Sequence, residues 1–291
     1  MAAATDGKQI FLLGGYAPGL AMPRALQAYD AQANRWSSPS MIPEGINHTA
    51  VAHVGGRIYV VGGWRGVNRD PTGAVQIYDI ATQRWSSGAP MPTPRAAHAI
   101  AVVNGRIHVL GGHADGALEL DSREHRVGSD NASVGTHEVY DPATNAWKRL
   151  APMPTARNHH AAAVIGGRIH AVGGRVGNDF TMTTHEIYDP ASGAWTSAPP
   201  LPTGRSGIAA VELDARLYVF GGEAFVPLHK TFNEAERFDP RTNRWEAMPP
   251  LPTARHGLGA VAVGGAIHVV SGGPQPGGSF SGVHEILSVT R

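Results

Sequence analysis

AHAIAVVNGRIHVLGG, residues 97–112, carries the reading of the whole chain. A small and apolar run (97–103) meets Asn104-Gly105, and a second apolar run (106–110) ends in the pair Gly111-Gly112. Asn-Gly between two apolar runs predicts a two-residue hairpin, because both turn positions require φ above zero. Further on, Tyr140-Asp141 closes a third run and Trp147 marks a fourth. The stretch therefore predicts one unit of four short antiparallel strands, named a to d in chain order.

The unit recurs along the chain. Gly pairs follow apolar runs at Gly14-Gly15, Gly62-Gly63, Gly111-Gly112, Gly173-Gly174, Gly221-Gly222 and Gly272-Gly273, at spacings of 48, 49, 62, 48 and 51 residues. After five of the six pairs come Tyr/Phe-Asp (Tyr29, Tyr78, Tyr140, Tyr188, Phe238) and a Trp (Trp36, Trp85, Trp147, Trp195, Trp245). Self-similarity at such a period is the mark of a repeat architecture, and four strands per unit is the make-up of a propeller blade.

Composition agrees and excludes several classes. The 291 residues include 37 Gly and 22 Pro, with 42% apolar and only 16% charged residues. Each interior Gly costs a helix about 1 kcal/mol and each Pro about 3, so long helices are disfavoured. The apolar share is too high for disorder. Net charge is +1 and no basic run occurs, which argues against a nucleic-acid partner. No apolar run approaches the roughly 20 residues of a membrane span. Zero Cys removes disulfides, thiol catalysis and Cys-based zinc sites. Residues 1–6 lack the basic and apolar regions of a signal peptide. As it stands the chain reads as cytoplasmic, and as periplasmic or secreted if a further segment precedes it.

The Gly-Gly, Tyr-Asp and Trp triplet at this spacing resembles the Kelch repeat, over almost the entire chain. The resemblance implies an all-β fold, a six-bladed β-propeller of four-stranded antiparallel blades with strand a lining a central channel. The blade units are roughly 1–43, 44–92, 93–154, 155–202, 203–252 and 253–291. The sixth blade is incomplete at the C-terminus, because it stops without a Trp strand. Blade one offers strands b, c and d with 2–5 as a stub of strand a, so 22 strands are expected where the ring needs 24. In circular folds of this family an N-terminal strand completes the last blade, which places a Trp-bearing strand in a segment preceding residue 1.

Strand alternation sorts the loops into two faces. The a–b and c–d turns are short and stereotyped, whereas the b–c and d–a connections are longer and varied, and varied loops on a rigid scaffold are where sites sit. Blade three carries about 13 extra residues on that face, within 113–136. This insertion, with Asp115, Glu119, Asp121, Arg123, Glu124, Arg126 and Asp130, reads either as a lid with a short helix near 117–126 or as a surface loop.

Aligning the repeats separates structural from variable positions. His108, His170 and His268 share a strand b slot with Phe11, Tyr59 and Tyr218, and His137, His185 and His284 share a strand c slot with Leu26, Val75 and Ala235. Slots shared with apolar residues mark packing. His98, His160, the Glu series (Glu138, Glu186, Glu236, Glu285) and the Arg residues opening strand a in blades three to six are read as structural too.

What varies from blade to blade lies just after each Gly pair and just after each opening Arg. In the Kelch receptor that binds an acidic peptide, matching slots supply the contacts. Carried over by slot, the candidate ligand-binding residues are Tyr16, Trp64, His113, Arg175 and Glu223, with Asn47, His48, Asn158, His159, Ser206 and His256. They suit an anionic or polar ligand or peptide, Arg offering a rigid fork and the aromatic rings stacking faces. Under this reading Arg175→Ala weakens an anionic ligand and leaves stability nearly intact.

A second reading is an enzyme in the same funnel. Sialic acid mutarotases are similar stand-alone six-bladed propellers, a resemblance that implies metal-free proton transfer, and the arrangement to test here is Glu223 as base with Arg175 holding a carboxylate and His159 as a further catalytic candidate. Kelch-type specifier proteins of plants hold Fe(II) at the channel mouth, and His48, His113, His159, His256 and Asp115 are the side chains here that could hold a divalent metal in a lyase or isomerase. No cofactor is otherwise expected. A scaffold acting through its outer edges is the third reading. The expected partner is a protein, peptide or small polar ligand, bound by a monomer.

Overall fold

Asn104 and Gly105 lie at φ of +50° and +73°, so the predicted two-residue turn forms and Ala99–Val103 pairs antiparallel with Arg106–Leu110. The same turn recurs at Gly55-Gly56, Gly166-Gly167, Asp214-Ala215 and Gly264-Gly265, every residue with φ between +51° and +80°. The structure is a computed structural model, and it describes all residues except 18–20, 67–69, 115–132, 226 and 290–291.

Blade one is β1 (Ala2–Thr5), β2 (Gln9–Leu13), β3 (Ala25–Asp30) and β4 (Arg35–Met41). Blade two is β5 (Ile46–Asn47), β6 (Ala50–Val54), β7 (Arg57–Arg65), β8 (Asp70–Asp79) and β9 (Arg84–Gly88). Blade three is β10 (Ala99–Val103), β11 (Arg106–Leu110), β12 (His137–Asp141) and β13 (Ala146–Arg149). Blade four is β14 (Ala161–Ile165), β15 (Arg168–Val172), β16 (His185–Asp189) and β17 (Ala194–Ser197). Blade five is β18 (Ala209–Leu213), β19 (Arg216–Phe220), β22 (Ala235–Asp239) and β23 (Arg244–Met248), with the short rim pair β20 (Glu223–Ala224) and β21 (Lys230–Thr231). Blade six is β24 (Gly259–Val263), β25 (Ala266–Val270) and β26 (His284–Ser288). The innermost strands touch in succession from β1 through β6, β10, β14 and β18 to β24, and β24 touches β1. The fold is therefore an all-β ring of six blades.

The strand count needs one correction. Residues 2–5 are a full strand, each paired with a residue of β2, so blade one has all four strands. Only blade six, three-stranded among the described residues, falls short. The stub reading failed because four small residues give no periodicity, whereas pairing needs only a backbone.

Packing explains why the repeat residues are what they are. Within a blade, the Tyr or Phe ring of strand c meets the Trp of strand d at 5.0–5.3 Å. The adjoining Asp accepts backbone N–H groups two or three residues on, as Asp141 does from Ala143 and Asp30 from Gln32 and Ala33, a side-chain mimic of a backbone turn. Between blades, the Trp Nε1–H of blades two to five donates to the end of the preceding blade's outer strand: Trp85 to Ser40 Oγ, Trp147 to Ala89 O, Trp195 to Ala151 O and Trp245 to Pro199 O, at 2.7–3.0 Å. The Gly pairs allow neighbouring blades to approach. At Gly111 (φ +57°) a Cβ would lie 2.6 Å from Arg157 O and 2.7 Å from His160 Cε1, both of blade four.

The side chains of the opening Arg residues bond within their own blade, and it is their backbone carbonyls that reach the preceding one. Arg157 Nη1 meets Glu186 at 2.5 Å and Nη2 donates to Ala171 O, both in its own blade, while Gly112 N–H of blade three donates to Arg157 O. Arg95, Arg205 and Arg255 repeat this with Glu138, Glu236 and Glu285. All four guanidinium groups are fully buried.

Candidate functional site

Two sets of variable slots meet because the Gly-pair segment of each blade pairs with its own d–a connection. Asn47 opposes Trp64, Ala96 opposes His113, Asn158 opposes Arg175, Ser206 opposes Glu223 and His256 opposes Gly273. Five short rungs thus stand around the channel mouth, each displaying two variable residues. Inside them runs a ring of backbone hydrogen bonds, in which Ala97 N donates to His48 O, His159 N to Ala97 O, Gly207 N to His159 O and Gly257 N to Gly207 O. The Met1 amine continues it by donating to Gly257 O. His48, Ala97 and His159 take φ of +48° to +52° to do so, strain that an L-residue accepts only where its surroundings enforce it.

The mouth opens into a funnel of about 1370 Å³. Tyr16, His48, His159, Arg175, Glu223 and His256 line it. The other five candidates turn inward and hold these in place. Asn158 Oδ1 accepts His159 Nδ1–H at 2.5 Å, Asn47 Oδ1 accepts His48 Nδ1–H at 2.7 Å, and the Ser206 hydroxyl donates to Glu223 O at 3.2 Å. Trp64 and His113 are buried, their rings 5.7 Å apart, with Trp64 4.4 Å from His48. Asp115 and most of the 113–136 insertion lie outside the described residues.

Four funnel residues from blades four to six form one connected chain. Arg175 Nη2 donates to His159 Nε2 at 3.0 Å, and Arg175 Nη1 to Glu223 Oε1 at 3.1 Å. Glu223 Oε2 accepts Gly277 N–H at 2.9 Å and lies 3.4 Å from His256 Nε2. His256 Nδ1–H donates to Gly273 O. Burial, and then the Arg175 charge, hold the His159 imidazole well below its ordinary range. It is a neutral acceptor for Arg175.

Arg175 and Glu223 are each only 3% exposed, which changes the expected effect of Arg175→Ala. Removing the guanidinium strands a buried carboxylate, and breaking such a pair costs about 3–5 kcal/mol. Ligand binding and stability are therefore coupled at this residue. Two neighbours escaped the sequence reading: the rings of Phe180 and Phe225 lie 5.1 and 5.8 Å from the Arg175 guanidinium. Both belong to b–c loops, the loop set read as functional, but not to the slot directly after a Gly pair. The Gly277 loop of blade six was missed for the same reason. Among the described residues no three His, Asp or Glu side chains are arranged to hold a metal ion.

Comparison with known proteins agrees with this architecture. A family described as the KLHDC2/KLHL20/DRC7 Kelch-repeats domain matches residues 1–151 and 127–273. Mouse Kelch-like protein 35 is 27% identical over 169 residues, which is 57% of this chain and 25% of that protein. Kelch-like protein terF of Aspergillus terreus is 29% identical over 178 residues, 60% of this chain and 38% of that protein. The chain thus spans well under half the length of these relatives. A solved structure titled "Structure of YjhT" superposes with a TM-score of 0.83 at 18% identity, covering 99% of this chain and 94% of that one. That likeness is one of fold.

Proposed function

This chain belongs to the Kelch-repeat family, whose propellers typically bind proteins, and on that premise we propose that its funnel receives a peptide segment or small polar ligand. The carrying observation is that the variable slots of separate blades reach one concave site, with Arg175 lying against a pair of touching Phe rings and beside a His. Hot-spot chemistry favours such aromatic and Arg anchors. An acidic group of the ligand engages Arg175 in competition with Glu223, and its apolar part lies on Phe180 and Phe225.

The test is selection of a random peptide display library on the intact protein. The reading expects enriched peptides whose binding falls at least about tenfold, or 1.4 kcal/mol, in Phe225→Ala and Tyr16→Ala, and is unchanged in the outer-strand variant Met41→Ser. Peptides indifferent to both funnel variants would contradict it.

A second reading, a proton-transferring isomerase, is favoured by the continuous chain His159–Arg175–Glu223–His256. In it Glu223 exchanges a proton with the substrate and His256 accepts or returns it. Magnetisation-exchange NMR on a panel of reducing sugars and sugar acids separates the two. Faster anomer exchange with the wild type than with Glu223→Gln supports the enzyme, and equal rates oppose it.

A further inference from the structure

The funnel does not stop at the ring of backbone hydrogen bonds. In each of blades two to six its wall takes in both the residue on the ring and the residue after it, as with Gly207-Ile208 and Gly257-Leu258. The cavity therefore passes through the ring toward the axis. Its passage is one-sided. His48 and His159 cover one half of the ring, their imidazole centroids 5.0 Å apart. Blades five and six have Gly207 and Gly257 in that slot, and a Cβ on Gly257 would meet nothing within 4 Å. Glu223, bonded to Arg175, stands beside this gap, since a Cβ on Gly207 would lie 3.5 Å from its Cγ.

Below the ring the innermost strands supply the wall. Their register sets Ala3, Val51, Ile100, Ala162, Ala210 and Ala260 at one level, each opposite the fourth residue of its strand b. All except Val51 are partly exposed. An innermost strand is flanked by its own strand b and by the innermost strands of two neighbouring blades, so that exposure faces the axis. No polar side chain stands at this level, and four of the six are Ala. Apolar walls around water are unfavourable, and an apolar occupant removes that cost. Two residues further along each strand, about 7 Å deeper, come Thr5, His53, Val102, Val164, Glu212 and Ala262, where polar groups return.

We propose that the axial bore is a subsite for an unbranched aliphatic chain, which makes the ligand of the funnel an amphipathic carboxylate. Its head meets Arg175 and its first methylenes lie on Phe180 and Phe225. The chain then descends past Gly257 to the alanine level and ends where His53 and Glu212 stand. Strands enclose the bore on every side, and Val51 and Ile100 narrow it from blades two and three, which selects a slender chain. The head-group assignment rests on the funnel reading above, whereas the chain subsite rests on the bore alone.

Isothermal titration calorimetry of straight-chain alkyl carboxylates, from butyrate to laurate, against the 291-residue chain is the test. Expected is one site per chain, with affinity rising up to about fourfold per methylene and levelling off once the chain reaches His53 and Glu212. Ala162→Leu and Ala210→Leu fill the bore without touching the funnel, and each should abolish the rise while leaving the shortest acid that binds unaffected. A measurement on the wild type needs no variant to fold: the terminal methyl of the bound acid should show nuclear Overhauser contacts to the Ala162, Ala210 and Ala260 methyls. Affinity independent of chain length overturns the proposal, as does a terminal methyl that contacts Phe225 and none of these alanines, or no binding anywhere in the series. The funnel reading fails separately, through selected peptides indifferent to Phe225→Ala and Tyr16→Ala.

Discussion

Arg157 and Glu186 show how the repeat uses charge. Their 2.5 Å contact is closed to solvent, and burial draws the guanidinium below its ordinary range, opposed by the carboxylate beside it. Such a pair is costly to break and often cheap to replace as a whole, because what destabilises is the uncompensated ion. Blade two demonstrates the neutral alternative with Ile46 in the Arg slot and Gln76 in the Glu slot, the Gln amide bonding both the N–H and the carbonyl of Glu44. Arg157→Met is therefore expected to lose about 3–5 kcal/mol of stability. The double change Arg157→Ile with Glu186→Gln is expected to recover most of that. Urea denaturation of both variants checks the pair, and a double variant as unstable as the single one would show that the ion pair has a role the neutral pair cannot fill.

Strands b and c carry the histidines, and here the sequence told half the story. Their slots, shared with Phe, Tyr, Leu and Val, were legible as packing positions. That His108 and His137, His170 and His185, and His268 and His284 face each other at 2.9 Å depends on cross-strand register, which a slot alignment does not contain. Each buried pair is held neutral. Burial lowers His108 and His185 to about 4, and His137 and His170 to about 3, with like-charge repulsion from the partner adding for His137 and His170. The unfolded chain takes up these protons below 6.5, so it binds more protons than the folded state between 6.5 and those lower values. Stability is then fully present above pH 6.5 and lost as pH falls through that window, at about 1.4 kcal/mol per pH unit for each such group. Giving blade four the pair that blade one uses, His170→Phe with His185→Leu after Phe11 and Leu26, should leave stability near pH 7.5 within about 1.5 kcal/mol. It should also flatten the loss between pH 6.5 and 4.5. Thermal unfolding across that range reads both, and an unchanged pH slope would mean these histidines are not what acid attacks.

For the molecule as a whole, the ring was legible because six copies of one pattern each repeat the same local physics: a turn needing positive φ, a Tyr–Trp contact and a Gly pair where blades approach. The rim was legible only as a set of slots. Sequence placed eleven residues there, but whether each faces the funnel or supports one that does follows from the rung geometry, which turns Asn47, Asn158 and Ser206 inward. Phe180 and Phe225 come from loops whose course no repeat dictates. The account stands on side chains from different blades meeting at one point, and Arg175 of blade four with Glu223 of blade five is the meeting most open to measurement. A double-mutant cycle of Arg175→Met and Glu223→Gln, followed by denaturant unfolding, is predicted to give a coupling of at least about 1 kcal/mol. Additivity within about 0.5 kcal/mol would mean that the two side chains do not meet, and the funnel as described would not exist.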